Sequence, residues 1–226
     1  MPFTPDNAPG SRADGSGSLG IMRGTGSLSP LNDSIICRPG VIMKRTFVVG
    51  VTGASGVIYA KRLLDVLCKE EDVHLIITRI ARDIARHEGV ALDGYNAVYH
   101  EEEGMGAGIA SGSFRHDGMV IVPCTMKTLA AISNGFADNL ISRAADVSLK
   151  EGRKCILVPR EMPLSRVHLK NLLSASEAGA TIMVASPGFY HRPKTIDDLV
   201  DMVVARILDH LLVEHSLCSR WSGYDA

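Results

Sequence analysis

Aromatic residues are scarce in this chain. They make up 5% of 226 residues, with a single Trp, so a core has to be built from Val, Ile, Leu, Ala and Met. Neither sign of charge is in excess: 24 basic and 25 acidic side chains leave a formal net charge of −1. A general nucleic-acid binder, with its basic surplus, is excluded on that ground. No apolar run reaches the roughly 18 residues that a membrane span needs. The five cysteines, Cys37, Cys68, Cys124, Cys155 and Cys218, contain no C-x-x-C pair. An odd, unpatterned set is a poor disulfide framework and fits reduced thiols in a cytoplasmic protein. The eight histidines show no ligand spacing such as H-x-x-x-H, so no metal site is expected.

What is present divides at residue 42. Residues 1–42 are rich in Gly, Ser, Pro, Asp and Asn without a sustained period. Such a segment buries too little apolar surface to offset its ordering entropy and reads as a disordered extension. It lacks the apolar centre of a secretory signal, and Met43 opens a run that looks like a natural start. Residues 43–226 read as one domain, with a strand–turn–helix pattern that repeats from Lys44 onward.

Thr46–Thr52 is a continuous β-branched and apolar run, as in a strand covered on both faces. Ala60, Leu63, Leu64 and Leu67 follow at helical spacing. Further strands are expected at Val73–Thr78, Met119–Pro123, Lys154–Pro159 and Thr181–Ala185. Helices are expected at Ile80–His87, Met126–Ser133, Leu140–Lys150 and Val167–Ala178, with a last one from Ile196 to Leu211. Alternation of this kind implies an α/β protein, a three-layer α/β/α sandwich around a parallel sheet. Gly104–Ser113 is too glycine-rich for either element and reads as a flexible loop that could serve as a lid.

Three features carry chemistry. Gly50-Val51-Thr52-Gly53-Ala54-Ser55-Gly56 joins the first strand to its helix. Its glycines permit a sharp turn and close approach of a ligand, and the helix that follows offers N–H groups to a phosphate. The spacing is not G-x-G-x-x-G, and a tight turn without any ligand explains the residues equally. Pro123-Cys124-Thr125-Met126-Lys127-Thr128 ends the Met119–Pro123 strand, at the edge where ligands collect in open parallel sheets. Thr125 and Thr128 can donate to phosphate or to a ring oxygen. Cys124 reads as a small buried residue rather than a nucleophile, with no His beside it in sequence. Finally, Arg143, Lys150, Arg160, Glu161 and Arg206 stand near element ends. Cations and one carboxylate of this kind, if brought together, suit a phosphate-bearing substrate.

Taken together, these segments resemble one family. Gly53-Ala54-Ser55-Gly56, Ala110-Ser111-Gly112-Ser113, Pro123-Cys124, Arg143-Ala144-Ala145-Asp146-Val147, Leu149-Lys150-Glu151, Pro159-Arg160-Glu161-Met162-Pro163 and Pro187-Gly188-Phe189-Tyr190-His191-Arg192-Pro193 are similar to the UbiX/Pad flavin prenyltransferases. The resemblance runs in order from about Lys44 to Trp221 and leaves out the amino-terminal tail.

The resemblance implies a flavodoxin-like or Rossmann-like fold, assembled as a homo-oligomer, commonly a dodecamer, with sites between subunits. It implies flavin mononucleotide (FMN) and dimethylallyl phosphate as ligands. The dimethylallyl group is joined to N5 and C6 of the flavin, and the prenylated FMN passes to a UbiD-type decarboxylase. No metal is implied. Carried over by position, Gly53, Ala54, Ser55, Thr78, Thr125, Met126, Lys127, Thr128 and Arg143 would hold the flavin. Lys150, Arg160, Glu161, Tyr190 and Arg206 would surround the prenyl phosphate. Ser55 and Glu88 would handle the proton lost from the flavin, and Glu161 with Lys150 would assist phosphate departure. Some relatives place a Trp near Met105, and here that aromatic is missing. Alternatives kept open are an FMN-dependent cysteine decarboxylase, a subunit of a hydroxyaryl acid decarboxylase complex, and a non-catalytic flavin carrier.

Overall fold

The computed structural model describes residues 44–220 and residue 223; the expected extension at 1–42 lies outside the described residues. Six parallel strands make one sheet: β1 (Thr46–Val51), β2 (Asp72–Ile77), β3 (Val98–His100), β4 (Gly118–Cys124), β5 (Cys155–Pro159) and β6 (Thr181–Ile182). Six helices connect them: α1 (Val57–Glu70), α2 (Arg79–Glu88), α3 (Met126–Ser133), α4 (Leu140–Lys150), α5 (Arg166–Glu177) and α6 (Ile196–Leu211).

Period-2 alternation divides the core into two. Phe47, Val49 and Val51 point toward α1, α2 and α6, while Val48 points toward α3, α4 and α5. The other central strands do the same, as in Val120 and Val122 against Met119 and Ile121. Both faces are therefore covered, which is why β1 and β4 are almost wholly apolar. Leu63, Leu64 and Leu67 of α1 are fully buried, each stabilising the fold by roughly 1.5–3 kcal/mol.

The strand order is β3-β2-β1-β4-β5-β6. The five strands β2-β1-β4-β5-β6 are the five anticipated from sequence and give the flavodoxin-like arrangement. Strand β3 is an addition at the edge that the periodicity does not announce. It has three residues, and Val98 and Tyr99 are exposed, so no apolar alternation marks it. At the other edge the expected strand Thr181–Ala185 forms as Thr181–Ile182. The ladder nonetheless continues, with Met183 N and Ala185 N donating to Leu157 O and Pro159 O at 2.9 and 3.0 Å. The boundaries of α3 and α4 fall where the sequence placed them.

The glycine-rich segment is a loop tied to the body of the domain. It contains a single 3-10 turn at Gly108–Ala110, and Ile109 is buried. Leu140 N donates to Glu102 O at 2.8 Å, Arg143 Nε to Ala110 O at 3.1 Å, and Arg153 to Gly112 O and Phe114 O at 2.6 Å each. Arginines of α4 and of the turn before β5 thus take the carbonyls of Ala110, Gly112 and Phe114 and tie down the end of the segment.

Candidate active site

Chain connections leave β1 in one direction and β4 in the other, so the order reverses between these two strands. A crevice outside their carboxyl ends is the expected ligand position in such sheets. The residues bordering it are tied to one another by hydrogen bonds. From β1, Thr52 Oγ1 donates to Pro123 O and accepts from Thr125 N, both at 2.8 Å. From β2, Thr78 N donates to Val51 O at 3.0 Å, and Thr78 Oγ1 caps α2 by accepting from Ala81 N at 3.1 Å. From β4, Thr125 Oγ1 caps α3 by accepting from Thr128 N at 3.1 Å and lies 2.9 Å from Thr128 Oγ1. From β5, Arg160 Nε donates to Ser55 O at 3.0 Å.

Gly53, Ala54, Ser55, Thr78, Thr125, Thr128 and Arg160 therefore share one edge. Ser55 itself is exposed, while Ala54 is buried. Gly53 is required by packing: a Cβ there would lie 2.3 Å from Ile80 Cγ2 and 2.8 Å from Ile80 Cβ. Gly56, with φ 98°, adopts the left-handed backbone that starts α1 and that glycine tolerates best. Tyr59, one turn into α1, joins the group. Burial pushes its phenol pKa up, and the Arg160 charge draws it partly back.

The start of α1 differs from the expectation. The Glu88 carboxylate accepts from Gly56 N at 3.0 and 3.2 Å and from Val57 N at 3.1 Å. A seat expected to offer free N–H groups to a phosphate is filled by the protein's own anion, which satisfies the orphan donors and the helix dipole. Glu88 thus stands behind the Ser55 loop, on its α1 side. Glu102 does the same for α2, accepting from Arg79 N at 3.2 Å. In α3 the side-chain cap engages Thr128 N, so the N–H groups of Met126 and Lys127 are the ones directed at the crevice. The Lys127 side chain turns away to Asp138, at 3.1 Å. The Met126 side chain packs against the α3–α4 core.

Cys124 is fully buried. Burial, with Cys155 as a second influence, pushes its thiol pKa far up, the opposite of an activated nucleophile.

Lys150 and Arg206 stand away from this cluster within one chain. Helix α4 returns from the carboxyl end of β4 to the start of β5, so Lys150 lies at the amino-terminal edge of the sheet. It pairs with Glu151 at 2.5 Å. β5 alone separates the two edges by about 15 Å. Arg143, near the start of α4, pairs with Asp146 at 3.0 Å. Arg206 is exposed rather than covered by the helix stripe, and pairs with Asp209 at 2.7 Å. Asp209 also accepts from Arg220 at 2.7 Å. Tyr190 is half exposed in the segment before α6, near Met202 through Gly188. Glu161 follows Arg160 at the crevice edge but is exposed, its Oε1 accepting from Met162 N at 3.0 Å. Thr52 and Tyr59 are site residues that sequence reasoning missed; Thr52 matters more. It counted as the last residue of a strand, and only its position opposite Pro123 gives it a further task.

Residues 39–208 match the flavoprotein family. A flavin prenyltransferase UbiX of Methanocaldococcus jannaschii is 46% identical over 178 residues, covering 77% of this chain and 97% of that protein. The chain belongs to the flavoprotein family, on its flavin prenyltransferase branch. The flavin prenyltransferase LpdB of Lactiplantibacillus plantarum is 48% identical over 190 residues, covering 80% of this chain and all of that one. Among solved structures, AnUbiX (PadA1) in complex with FMN and dimethylallyl pyrophosphate superposes with a TM-score of 0.76 at 41% identity, covering 80% of this chain and 100% of that one. A dodecameric FMN-dependent UbiX-like decarboxylase from Escherichia coli O157:H7 gives 0.75 at 44% identity, covering 79% and 100%. The FMN-dependent cysteine decarboxylase TvaF shares the fold alone, at 17% identity and a TM-score of 0.51. Among the described residues no cluster of metal-ligating side chains occurs, and no helix is long and apolar enough to cross a membrane.

Proposed function

We propose that this chain is a flavin prenyltransferase that joins a dimethylallyl group from dimethylallyl phosphate to N5 and C6 of reduced FMN. The observation that carries the reading is the Ser55 loop held by Arg160 beside the Thr52–Thr125 tie, at the sheet's reversal point. The residues there fit a flavin. Small side chains at Gly53 and Ala54 let a planar ring approach the main chain, while Thr78, Thr125, Thr128 and the N–H groups of Met126 and Lys127 supply polar contacts. FMN contributes the nucleophilic ring atoms that the allyl group is joined to.

The chain's own residues have separate tasks. Lys150, Arg160 and Arg206 neutralise the phosphate as its bond to the allylic carbon breaks, and Tyr190 donates a hydrogen bond to it. Glu161 gives the departing phosphate a proton and takes one back. Ser55 handles the proton released from the flavin, with Glu88 behind it. Because Lys150 and Arg206 stand away from Ser55 in a single chain, the site is completed by neighbouring copies, which also bury Glu161. The exposed apolar residues Met162, Val167, Leu173 and Phe189 give such copies a surface to bury, and a dodecamer like the E. coli neighbour is the expected assembly. The product goes to a UbiD-type decarboxylase, and the location is cytoplasmic.

The test is anaerobic incubation of the full chain with reduced FMN and dimethylallyl phosphate, and in parallel with the diphosphate, followed by mass analysis of the extracted flavin. A mass gain of one isoprenoid unit is expected. An unmodified flavin in both arms refutes the assignment.

A further inference from the structure

The β1–β4 ladder runs from Phe47 opposite Gly118 to Gly50 opposite Ile121 and then stops. Beyond it β4 carries Pro123, which has no N–H to donate, and the register of β4 shifts between Ile121 and Cys124. The two strands would be free to part at the point where the crevice opens. Thr52 closes this gap with its side chain. Its hydroxyl donates to Pro123 O and accepts from Thr125 N, both at 2.8 Å, and its own N–H reaches Pro123 O at 3.3 Å. The residue is 2% exposed, so no bulk water competes for either bond. The hydroxyl thus adds two bonds to the single backbone bond that continues past Gly50. It joins the residue before Gly53 to the residue that caps α3.

The geometry points to Thr52 as the positioning residue of the flavin crevice, setting the separation of the Gly53–Ser55 loop from the Thr125–Thr128 turn. The inference rests on the flavin reading given above. Thr52 does not itself reach the ligand; it acts through Thr125 and through the loop that begins at Gly53. Threonine suits the task better than serine, because its branched Cβ restricts χ1 and keeps the hydroxyl aimed.

Three variants of the full chain test this: Thr52→Val, which keeps the shape and removes both side-chain bonds, Thr52→Ser, which keeps them, and Thr52→Ala. FMN affinity is read by titration of flavin fluorescence, and the melting temperature of the flavin-free protein is read alongside. Leaving a buried N–H unpaired is large enough to weaken FMN binding by about tenfold or more in Thr52→Val. Thr52→Ser should stay within about threefold of native by keeping the hydroxyl. The KM for FMN should rise by a similar factor in Thr52→Val and stay near native in Thr52→Ser. Should valine block folding, Thr52→Ala gives the same readout, with its loss of affinity between the other two because a water can enter beside Thr125 N. A folded Thr52→Val with a lowered melting temperature and native FMN affinity overturns the proposal, since that is the signature of a purely structural tie. If the native chain binds no FMN at all, the flavin reading itself falls, a result distinguishable from the first.

Discussion

Replacing Gly53 with Ala is the sharpest test of how the flavin loop is held. The added methyl would sit 2.3 Å from Ile80 Cγ2 and 2.8 Å from Ile80 Cβ, where carbon atoms prefer about 3.5–4.0 Å. Relief therefore requires a movement of about 1 Å. Rotating the Ile80 side chain removes the first clash but not the second, because the Cβ is fixed to the α2 backbone. Either the first turn of α2 retreats or the Gly53 loop does, and the Thr78 N bond to Val51 O at 3.0 Å resists both. Overpacking of this kind costs about 1–3 kcal/mol. In a chain of this size each kcal/mol lowers the melting temperature by about 2–4 °C. Since Thr78 and Gly53 both border the crevice, FMN affinity should fall with stability. Thermal melting with and without FMN, plus a flavin titration, measures both. The double variant Gly53→Ala/Ile80→Ala should recover part of the loss, because it removes Cγ2 and leaves Cβ. A Gly53→Ala protein that melts and binds as the native chain does would refute the packing argument.

Glu161→Gln should lower prenyl transfer by roughly 10²–10⁴-fold, the usual worth of a general acid. FMN binding should stay near native; turnover at the native rate would sink the acid assignment. Cys124→Ala should leave transfer within about tenfold, or 1.4 kcal/mol in barrier, because a fully buried thiol with a raised pKa does no chemistry here. A loss of several thousandfold with flavin still bound would mean a covalent role. Stability should fall as pH drops below the ordinary histidine value of 6.5. Burial, with His100 beside His74 and Arg153 near His116, lowers the pKa of His74, His100 and His116 in the folded state. The unfolded chain then binds more protons in that range, so ΔG of unfolding rises with pH there. Melting at pH about 7.5 and about 5.5 should show the fall, and His74→Asn/His100→Asn should flatten it; an unchanged slope would place the sensitivity elsewhere.

The sequence by itself determined the layered α/β architecture, because continuous apolar strands and 3.6-period helices leave few other ways to cover both faces of a sheet. Met126–Ser133 and Leu140–Lys150 were legible, since apolar spacing along a helix is a local signal. The motif string running from Gly53 to Pro193 was sufficient for the family. Strand β3 was not legible, because three residues at a sheet edge with exposed side chains obey no periodicity. Nor were the ties of the Gly104–Ser113 segment, which come from Arg143 and Arg153, some 30 to 40 positions further along the chain. Only the tertiary structure decided that Glu88 closes the start of α1, 32 residues from Gly56, and that Thr52 repairs the break at Pro123, 71 residues away. It also separated Lys150 and Arg206 from Ser55 within one chain. Local propensity writes each element into neighbouring residues, whereas a hydrogen bond across the sheet depends on register and strand order, which no single stretch of sequence contains.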